Sequence, residues 1–232
     1  MHPFITQNNL IRLGSNGDGG YLVPDDLVGI EACFSPGVDQ ISEFESDCFK
    51  KGLKIFLADY SIEKPNLNLP SDCFNFIKKF VGCTNNDIYI TMDTWVSNKI
   101  NSTNSDLLLQ MDIEGVEFES IINMSDNLME RFRILIIEFH DLNRLWDPKY
   151  FNTFEIVINK ILQTHICVHI HPNNCFKILT QFGIEIPRVA EFTFYRKDRI
   201  THLEKNLKFP HNLDFDNVKS NKSIYLPSAW YS

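Results

Sequence analysis

Two strongly apolar segments, each ending in acidic residues, constrain the fold of this chain most. The first, LLLQMDIEGVEFESI at residues 107–121, changes from apolar to acidic at Asp112. The second, FRILIIEFH at residues 132–140, ends in Glu138 and His140. Such apolar runs are typical of central strands in a parallel sheet, because that sheet is covered on both faces.

The other apolar segments alternate between strand and helix patterns, which predicts an α/β fold with a doubly wound, mostly parallel sheet. The predicted strands lie at residues 31–35, 54–60, 89–95, 166–171 and 191–197. Helices are predicted at residues 41–52 and 148–164. The polar stretch at residues 97–106 is predicted to be a loop inside the domain.

The length of 232 residues and a hydrophobic content of 44% suit one domain with a full core, spanning residues 1–232. A glycine-rich segment (residues 10–27) is expected to pack on it, and a polar tail begins near residue 204. The net charge of −8, without a long basic cluster, argues against a nucleic-acid partner.

Six widely spaced cysteines without a CxxC pair predict reduced, mostly buried thiols. The N-terminal residues show no basic region followed by an apolar stretch. No apolar run reaches the roughly 18 residues that a membrane span needs. These features predict a soluble, cytoplasmic protein and leave its oligomeric state open.

Polar residues gather where the predicted strands end, which is where open α/β sheets bind ligands. These strand-end residues are Ser35, Gly37, Asp39, Asp59, Asp112, Glu114, Glu138, His140, His169, His171, Asn173 and Asn174. Asp59 lies about 20 residues after the SPGVD turn, where it would bind a ribose or simply cap a turn. SPGVD has one glycine, so it favours a nucleoside ligand over a dinucleotide.

Asp112, Glu138 and His140 predict a mixed carboxylate–imidazole site, because residues two apart on a strand share a face. Such a site binds a divalent metal or holds a general base, and the alternative is a polar network that orients substrate without metal. Structural zinc is not favoured, since a strand would bring together only alternate members of Cys167, His169, His171 and Cys175.

The glycine-rich segment contains RLGSNGDGGYLVPDD at residues 12–26, with Arg12, Asp18 and Tyr21 among its glycines. It predicts either a close backbone approach to a ligand or a β-turn joining two edge strands. It does not follow an apolar strand and open a helix, so it is not a phosphate-binding loop.

Five blocks in the chain resemble segments of the FkbM-type S-adenosylmethionine-dependent methyltransferases, in the same order. They are RLGSNGDGGYLVPDDL, CFSPGVDQISEFE, LLLQMDIEGVEFESI, LIIEFHDL and VHIHPNNC. The resemblance spans roughly residues 10–200. It implies a Rossmann-like methyltransferase fold, with seven strands of which the last is antiparallel, and S-adenosylmethionine bound at the first strand ends.

The resemblance also implies cofactor contacts. Gly37 and Asp39 would pass under the methionine part, and Glu45 would hold its amino group or a neighbouring loop. Asp59 would bind the ribose hydroxyls, and Asp93 would lie near the adenine or the turn that follows. The chain departs from the commoner D-x-G-A-N-x-G loop of the family at Ser35 and Pro36, which affects the expected contacts of Ser35, Asp39 and Glu45.

Members of that family act mostly as O-methyltransferases, often on sugars in bacterial or viral glycans. This implies methyl transfer to a hydroxyl surrounded by Asp112, Glu138 and His140, with His140 or Asp112 as base. By analogy with catechol-type methyltransferases, the same residues would hold a divalent ion. The implied acceptor contacts are Arg12, Asp18, Tyr21, His169, His171, Asn173 and Asn174.

Two rival functions remain open. A nicotinamide-dependent oxidoreductase would need a multi-glycine loop after the first strand, which SPGVD does not provide. A non-catalytic glycan-binding protein on the same fold would need no base at the strand ends, yet ionisable residues crowd them.

Overall fold

A computed structural model describes residues 2–38 and 42–231 of the chain. The strands of the central sheet are β4 (Ile30–Pro36), β5 (Lys54–Ala58), β6 (Phe74–Ile77), β9 (Asp106–Met111), β10 (Phe132–Phe139), β11 (His165–Pro172) and β14 (Ala190–Arg196). The strands outside it are β1 (Phe4–Thr6), β2 (Leu10–Gly14), β3 (Gly20–Pro24), β7 (Phe80–Val81), β8 (Tyr89–Ile90), β12 (Leu179–Gln181), β13 (Ile184–Ile186) and β15 (Leu203–Lys205). The helices are α1 (Glu43–Lys50), α2 (Met92–Lys99), α3 (Glu117–Asn123), α4 (Asp126–Arg131) and α5 (Pro148–Thr164).

The central sheet has seven strands in the order β11-β14-β10-β9-β4-β5-β6. Its neighbours pair in parallel except β14, which is antiparallel to both β10 and β11. This confirms the predicted α/β class, the mostly parallel sheet and the antiparallel last strand, and it is compatible with a Rossmann-like fold. The strand order reverses between β4 and β9, where such sheets open a crevice at their carboxyl ends.

One face of the sheet is covered by the helices α2 to α5. Alternate residues of β9 point into this layer, including Leu107, Leu109 and Met111, and they pack with Trp95 of α2 and Ile161 of α5. All five are fully buried, so this layer forms the larger part of the core.

The opposite face is covered by α1 and by the hairpin that β2 and β3 form. Leu13, Tyr21 and Val23 of the hairpin pack with Phe44 of α1 and with Leu108 of β9. The glycine-rich segment is therefore a turn between two antiparallel strands, which was one of its two predicted structures. Those strands form a separate two-stranded sheet and are not edge strands of the central sheet.

For the middle of the chain, one prediction is wrong and another is confirmed in part. Residues 89–95 are not one strand, because Thr91 accepts a hydrogen bond from the backbone N–H of Thr94 and starts helix α2. The predicted loop at 97–106 is confirmed over residues 100–105, whereas residues 97–99 belong to α2 and residue 106 begins β9. The third strand on this side of the sheet is β6, whose four residues, FNFI, are too few for a periodic pattern to identify it.

The C-terminal segment, residues 203–231, starts as β15 paired with β1 and then crosses the carboxyl end of β11. All six cysteines are free, as predicted, but only Cys33, Cys48 and Cys167 are buried. Among the described residues, no helix has the length and apolarity that a membrane crossing requires.

Candidate active site

A cavity of about 580 Å³ opens at the reversal point of the sheet, above the carboxyl ends of β4, β5 and β9. Its volume is in the range of small-molecule and cofactor sites. One half is lined by Asp59, Ser61, Phe80, Val81 and Tyr89. The other half is lined by Asp18, Gly37, Asp112 and Glu114. The predicted crevice therefore exists, and it joins an apolar half to an acidic half.

Gly37 forms the floor between these halves. Its φ of +83° is in the left-handed region, and a Cβ built at this position would lie 1.5 Å from the backbone oxygen of Asp112. The Gly37 N–H donates to the Ala58 carbonyl at 3.0 Å, which ties the ends of β4 and β5 together. Only glycine allows the chain to cross Asp112 this closely.

Asp59 ends β5 at the apolar half of the cavity and is 8% exposed. Its Oδ1 accepts hydrogen bonds of 2.6 Å from the backbone N–H and the hydroxyl of Ser61. Beside it, the ring of Phe80 lies 5.4 Å from that of Tyr60 and 5.8 Å from that of Tyr89. A buried carboxylate next to partly exposed aromatic rings suits a ribose linked to a planar base.

Ser35 and Glu45 form a buried polar network beneath the acidic half. The Ser35 hydroxyl lies 2.5 Å from Glu45 Oε1 and 2.6 Å from Gln110 Oε1. The amide of Gln110 donates to the Tyr21 hydroxyl at 3.0 Å. The Ser35 hydroxyl is the donor that these two oxygens share. Burial raises the pKa of Glu45, against a smaller opposing effect of the hydrogen bond from Ser35.

The DIEGVE turn after β9 is held by Glu117. Its Oε1 accepts hydrogen bonds from the backbone N–H groups of Ile113 at 3.2 Å and Gly115 at 3.1 Å. The same oxygen lies 3.0 Å from Nδ1 of His140. Glu117, which is 1% exposed, therefore fixes both the turn that carries Asp112 and the ring of His140.

Nε2 of His140 faces a cluster of carboxylates. It lies 3.4 Å from Glu114 Oε2, 3.8 Å from Asp112 Oδ1 and 3.9 Å from Glu138 Oε1. Burial, together with the nearby acids, raises the pKa of Asp112 to about 7. Burial alone would lower the pKa of His140, but the hydrogen bond and charge of Glu117 outweigh it and raise that pKa to about 9.

Glu138 and Glu191 extend the carboxylate cluster across the sheet, because they are partners in the register of β10 and β14. Together, Asp112, Glu114, Glu138 and Glu191 form the acidic row of the crevice. Glu138 Oε1 accepts a hydrogen bond of 3.0 Å from the amide of Asn173. Glu191 Oε1 accepts one of 2.7 Å from Asn217 of the C-terminal segment. Burial raises the pKa of both carboxyls, and their mutual repulsion adds to the increase for Glu138.

The hairpin contributes Asp18 to the crevice, where Asp18 Oδ1 accepts a 3.1 Å hydrogen bond from Asn217. Arg12, predicted to contact the acceptor, instead donates to the backbone oxygens of Ser15, Gly17 and Leu213. Its guanidinium holds the hairpin turn and the C-terminal segment together.

Three other predicted acceptor contacts also face the C-terminal segment. His169 lies 2.8 Å and His171 3.7 Å from the Asp214 carboxylate. The side chain of Asn174 both donates to and accepts from the backbone of Val218. These side chains are buried because the segment folds over the end of β11, which a pattern confined to the strand did not anticipate.

Two predicted cofactor contacts do not join the others. Asp93 lies in the first turn of α2, where it accepts hydrogen bonds from the backbone and hydroxyl of Ser125, and it does not line the cavity. Asp93 lies apart from the cavity because α2 begins where a strand end was expected. Asp39 lies outside the described residues.

The predicted metal set is altered by the structure. One ligand atom each from Asp112, Glu114 and His140 lies within 4.8 Å of the others, whereas Glu138 falls outside this group. Asp112 Oδ1 is buried without a hydrogen-bond partner. An orphaned carboxylate oxygen beside a second carboxylate and an imidazole fits a divalent cation.

Several residues of the site were not predicted from the sequence. They are Ser61, Phe80, Tyr89, Glu191, Asp214 and Asn217. Most of them come from short strands or irregular segments, where no hydrophobic period marks the direction of a side chain. Glu191 alone offered a clue, since it opens the predicted last strand.

A comparison of the sequence with models of known protein families finds no match. A comparison with curated proteins likewise finds no similar protein at a significant level. The assignment of function therefore depends on the geometry of the crevice and on the resemblance of the five sequence blocks.

Proposed function

We propose that this protein is an S-adenosylmethionine-dependent O-methyltransferase that acts on a hydroxyl of a sugar, in a glycan or a sugar-containing metabolite. The observation that carries the proposal is a continuous cavity with Asp59 at one end and Asp112 at the other. One end suits a nucleoside, and the other holds ionisable groups that suit proton removal. The strand order and the antiparallel last strand agree with the methyltransferase fold that the resemblance implies.

Asp59 would accept hydrogen bonds from the ribose hydroxyls of the cofactor, and Phe80 and Tyr89 would hold its adenine. Gly37, between the two halves of the cavity, would lie next to its methionine part. There the buried Glu45 and Ser35 lie beneath the floor, so their network supports the loop. A cofactor held in this way would supply its methyl group on the side of the cavity that Asp112 lines.

Asp112 is the proposed general base. Its pKa of about 7 matches a base that works near neutral pH, whereas the pKa of His140, about 9, leaves its ring protonated. The hydroxyl proton passes to Asp112 as the oxygen forms a bond to the methyl carbon. The bond between that carbon and sulfur breaks, and sulfur keeps the electron pair. The imidazolium of His140 stabilises the charge on the carboxylates around it.

The acceptor binds between the hairpin and the ends of β10 and β14. Glu138, Glu191 and Asp18 provide carboxylate oxygens there, which hydrogen bonds from the amides of Asn173 and Asn217 hold in place. The remaining lone pairs of these oxygens suit the O–H donors of a sugar. The acidic character of the crevice also disfavours a polyanionic acceptor.

The acidic half of the cavity is also a candidate binding site for a divalent cation, because Asp112 Oδ1 lacks a hydrogen-bond partner. Asp112, Glu114 and His140 would hold it. When bound, the cation would lower the pKa of the acceptor hydroxyl. Activity retained in excess chelator would leave Asp112 as base without metal, and activity lost and then restored by Mg²⁺ would establish the cation.

Calorimetry with S-adenosylhomocysteine tests the proposal. Binding of this cofactor product, together with a methyl mass shift on candidate glycans incubated with S-adenosylmethionine, is the expected result. Binding of a nicotinamide nucleotide and not of S-adenosylhomocysteine would favour an oxidoreductase. Binding of sugars alone, without methylation, would identify a glycan-binding protein.

A further inference from the structure

A cluster of two imidazoles and one carboxylate lies beneath the C-terminal segment, beyond the acidic row of the crevice. His169 and His171 point from one face of β11 towards Asp214 of that segment. His169 Nε2 lies 2.8 Å from Asp214 Oδ1, and His171 Nδ1 lies 3.7 Å from the same oxygen. One ligand atom from each residue lies within 4.8 Å of the other two.

Several polar atoms of this cluster are buried without a partner. Both ring nitrogens of His171 and Nδ1 of His169 have no hydrogen bond, although the residues are 8% and 2% exposed. Nδ1 of His171 is the orphaned nitrogen that faces Asp214. Buried polar atoms in proteins are almost always paired, so this nitrogen points to a ligand that it is placed to bind. Without such a ligand, its desolvation would be uncompensated.

The charge of the cluster suits a cation. The Asp214 carboxylate lies between the two imidazoles, with its Oδ1 facing a ring nitrogen of each. Glu191 lies beside His171 in the strand register and adds a second acid nearby. Two imidazoles and a carboxylate form a donor set typical of Zn²⁺.

We propose that His169, His171 and Asp214 form a binding site for a divalent cation of the Zn²⁺ class, which ties the C-terminal segment to β11. The site is separate from the group formed by Asp112, Glu114 and His140, and it takes no part in methyl transfer. Its cation joins His169 of the central sheet to Asp214, which lies 45 residues further along the chain.

The site has a consequence for the crevice, because the same segment carries Asn217. That amide donates to Asp18 of the hairpin and to Glu191 of β14. Phe209 also packs against His169, with ring centroids 5.8 Å apart. Binding of the cation at Asp214 therefore holds Asn217 in the crevice wall and favours its closed arrangement.

Limited trypsin digestion in the presence and absence of ZnCl₂ tests this site. The segment offers cleavage at Lys205, Lys208, Lys219 and Lys222. Cleavage follows the population of the opened segment when reclosing is fast. At a Zn²⁺ concentration of about 100 times the Kd, we expect cleavage of the segment to slow about 100-fold. The Kd is measured by calorimetry with ZnCl₂ on Asp112→Asn protein, in which the other group has lost a carboxylate.

Substitutions in the two clusters separate them. Asp112→Asn protein should keep the full protection by Zn²⁺, whereas Asp214→Asn and His171→Gln proteins should lose it. Each substitution can loosen the segment by itself, so the quantity compared is the ratio of cleavage rates without and with Zn²⁺ for each protein. A ratio near one in the unmodified protein would overturn the proposal. So would a ratio in the Asp214→Asn and His171→Gln proteins that equals the ratio of the unmodified protein.

Discussion

Nδ1 of His140 lies 3.0 Å from Oε1 of Glu117, a residue 23 positions earlier in the chain. The same carboxylate oxygen accepts hydrogen bonds from the backbone N–H groups of Ile113 and Gly115. One buried acid thus sets the ring orientation of His140 and the turn that follows β9. With Nδ1 engaged in this way, Nε2 is the nitrogen that faces the crevice.

Glu117→Gln should lower kcat for methyl transfer about 10- to 100-fold, because residues that orient a site from outside contribute on this scale. Glutamine keeps the acceptor for the turn but removes the charge that supports the protonated His140. KM for the acceptor and the affinity for S-adenosylhomocysteine should stay unchanged.

Glu119→Gln is the matched control, since Glu119 is exposed on the same helix. It should leave all three parameters as they are. Equal kinetics for the Glu117→Gln and Glu119→Gln proteins would show that Glu117 has no positioning role.

Asp59→Ala should weaken binding of S-adenosylhomocysteine about 10- to 100-fold, because it removes hydrogen bonds from the ribose to a charged acceptor. Calorimetry measures the change. Asp93→Ala provides the comparison, since Asp93 bonds to Ser125 outside the cavity. It should lower thermal stability and leave the affinity unaltered. The reverse pattern would move the nucleoside end of the site to α2.

Gly37→Ala should lower the free energy of unfolding by about 3 kcal/mol, from the left-handed backbone and from overlap with the Asp112 carbonyl. Gly52→Ala separates the two contributions. Gly52 has a φ of +91°, but a Cβ placed on it would have no atom within 4 Å, so the substitution should cost about 1 kcal/mol. Urea denaturation measures both, and equal values would disprove the close crossing at Gly37.

His165 should make stability depend on pH. Burial lowers its pKa from 6.5 to about 4, against a smaller opposing effect of its hydrogen bond to the Phe132 carbonyl. The unfolded chain then binds the proton more readily between these pH values, so stability falls as pH falls. The free energy of unfolding should be lower by about 3 kcal/mol at pH 4 than at neutral pH because of this group.

Denaturant titrations of the His165→Gln protein across this pH range measure that contribution. The substitution keeps a donor for the Phe132 carbonyl and should flatten the curve relative to the unmodified protein. His202→Gln, at an exposed histidine, should retain the original slope. A slope unaffected by His165→Gln would show that the ring accepts a proton in the folded state.

Much of the fold was predictable because its central strands are buried on both faces. The runs at β9 and β10 and the proline-started helix α5 were predicted almost to the residue. The short strand β6 and helix α2 were missed, since half-buried elements of four to eight residues carry little periodic signal.

The sequence also located part of the candidate site. Gly37, Asp59 and Asp112 line one cavity because parallel strands deliver their carboxyl ends to the same edge. That rule depends only on strand direction, which the alternation of strands and helices already indicated.

What the sequence determined by itself was the α/β class, the mostly parallel sheet and the edge at which acidic residues gather, because these follow from local hydrophobic patterns. Only the tertiary structure decided that Glu117 holds His140, that Asn217 enters the crevice and that Asp214 meets His169 and His171. Those contacts join residues 23 to 199 positions apart. Side chains so far apart meet only after the core has packed, and no periodic pattern in the sequence records which of them will touch.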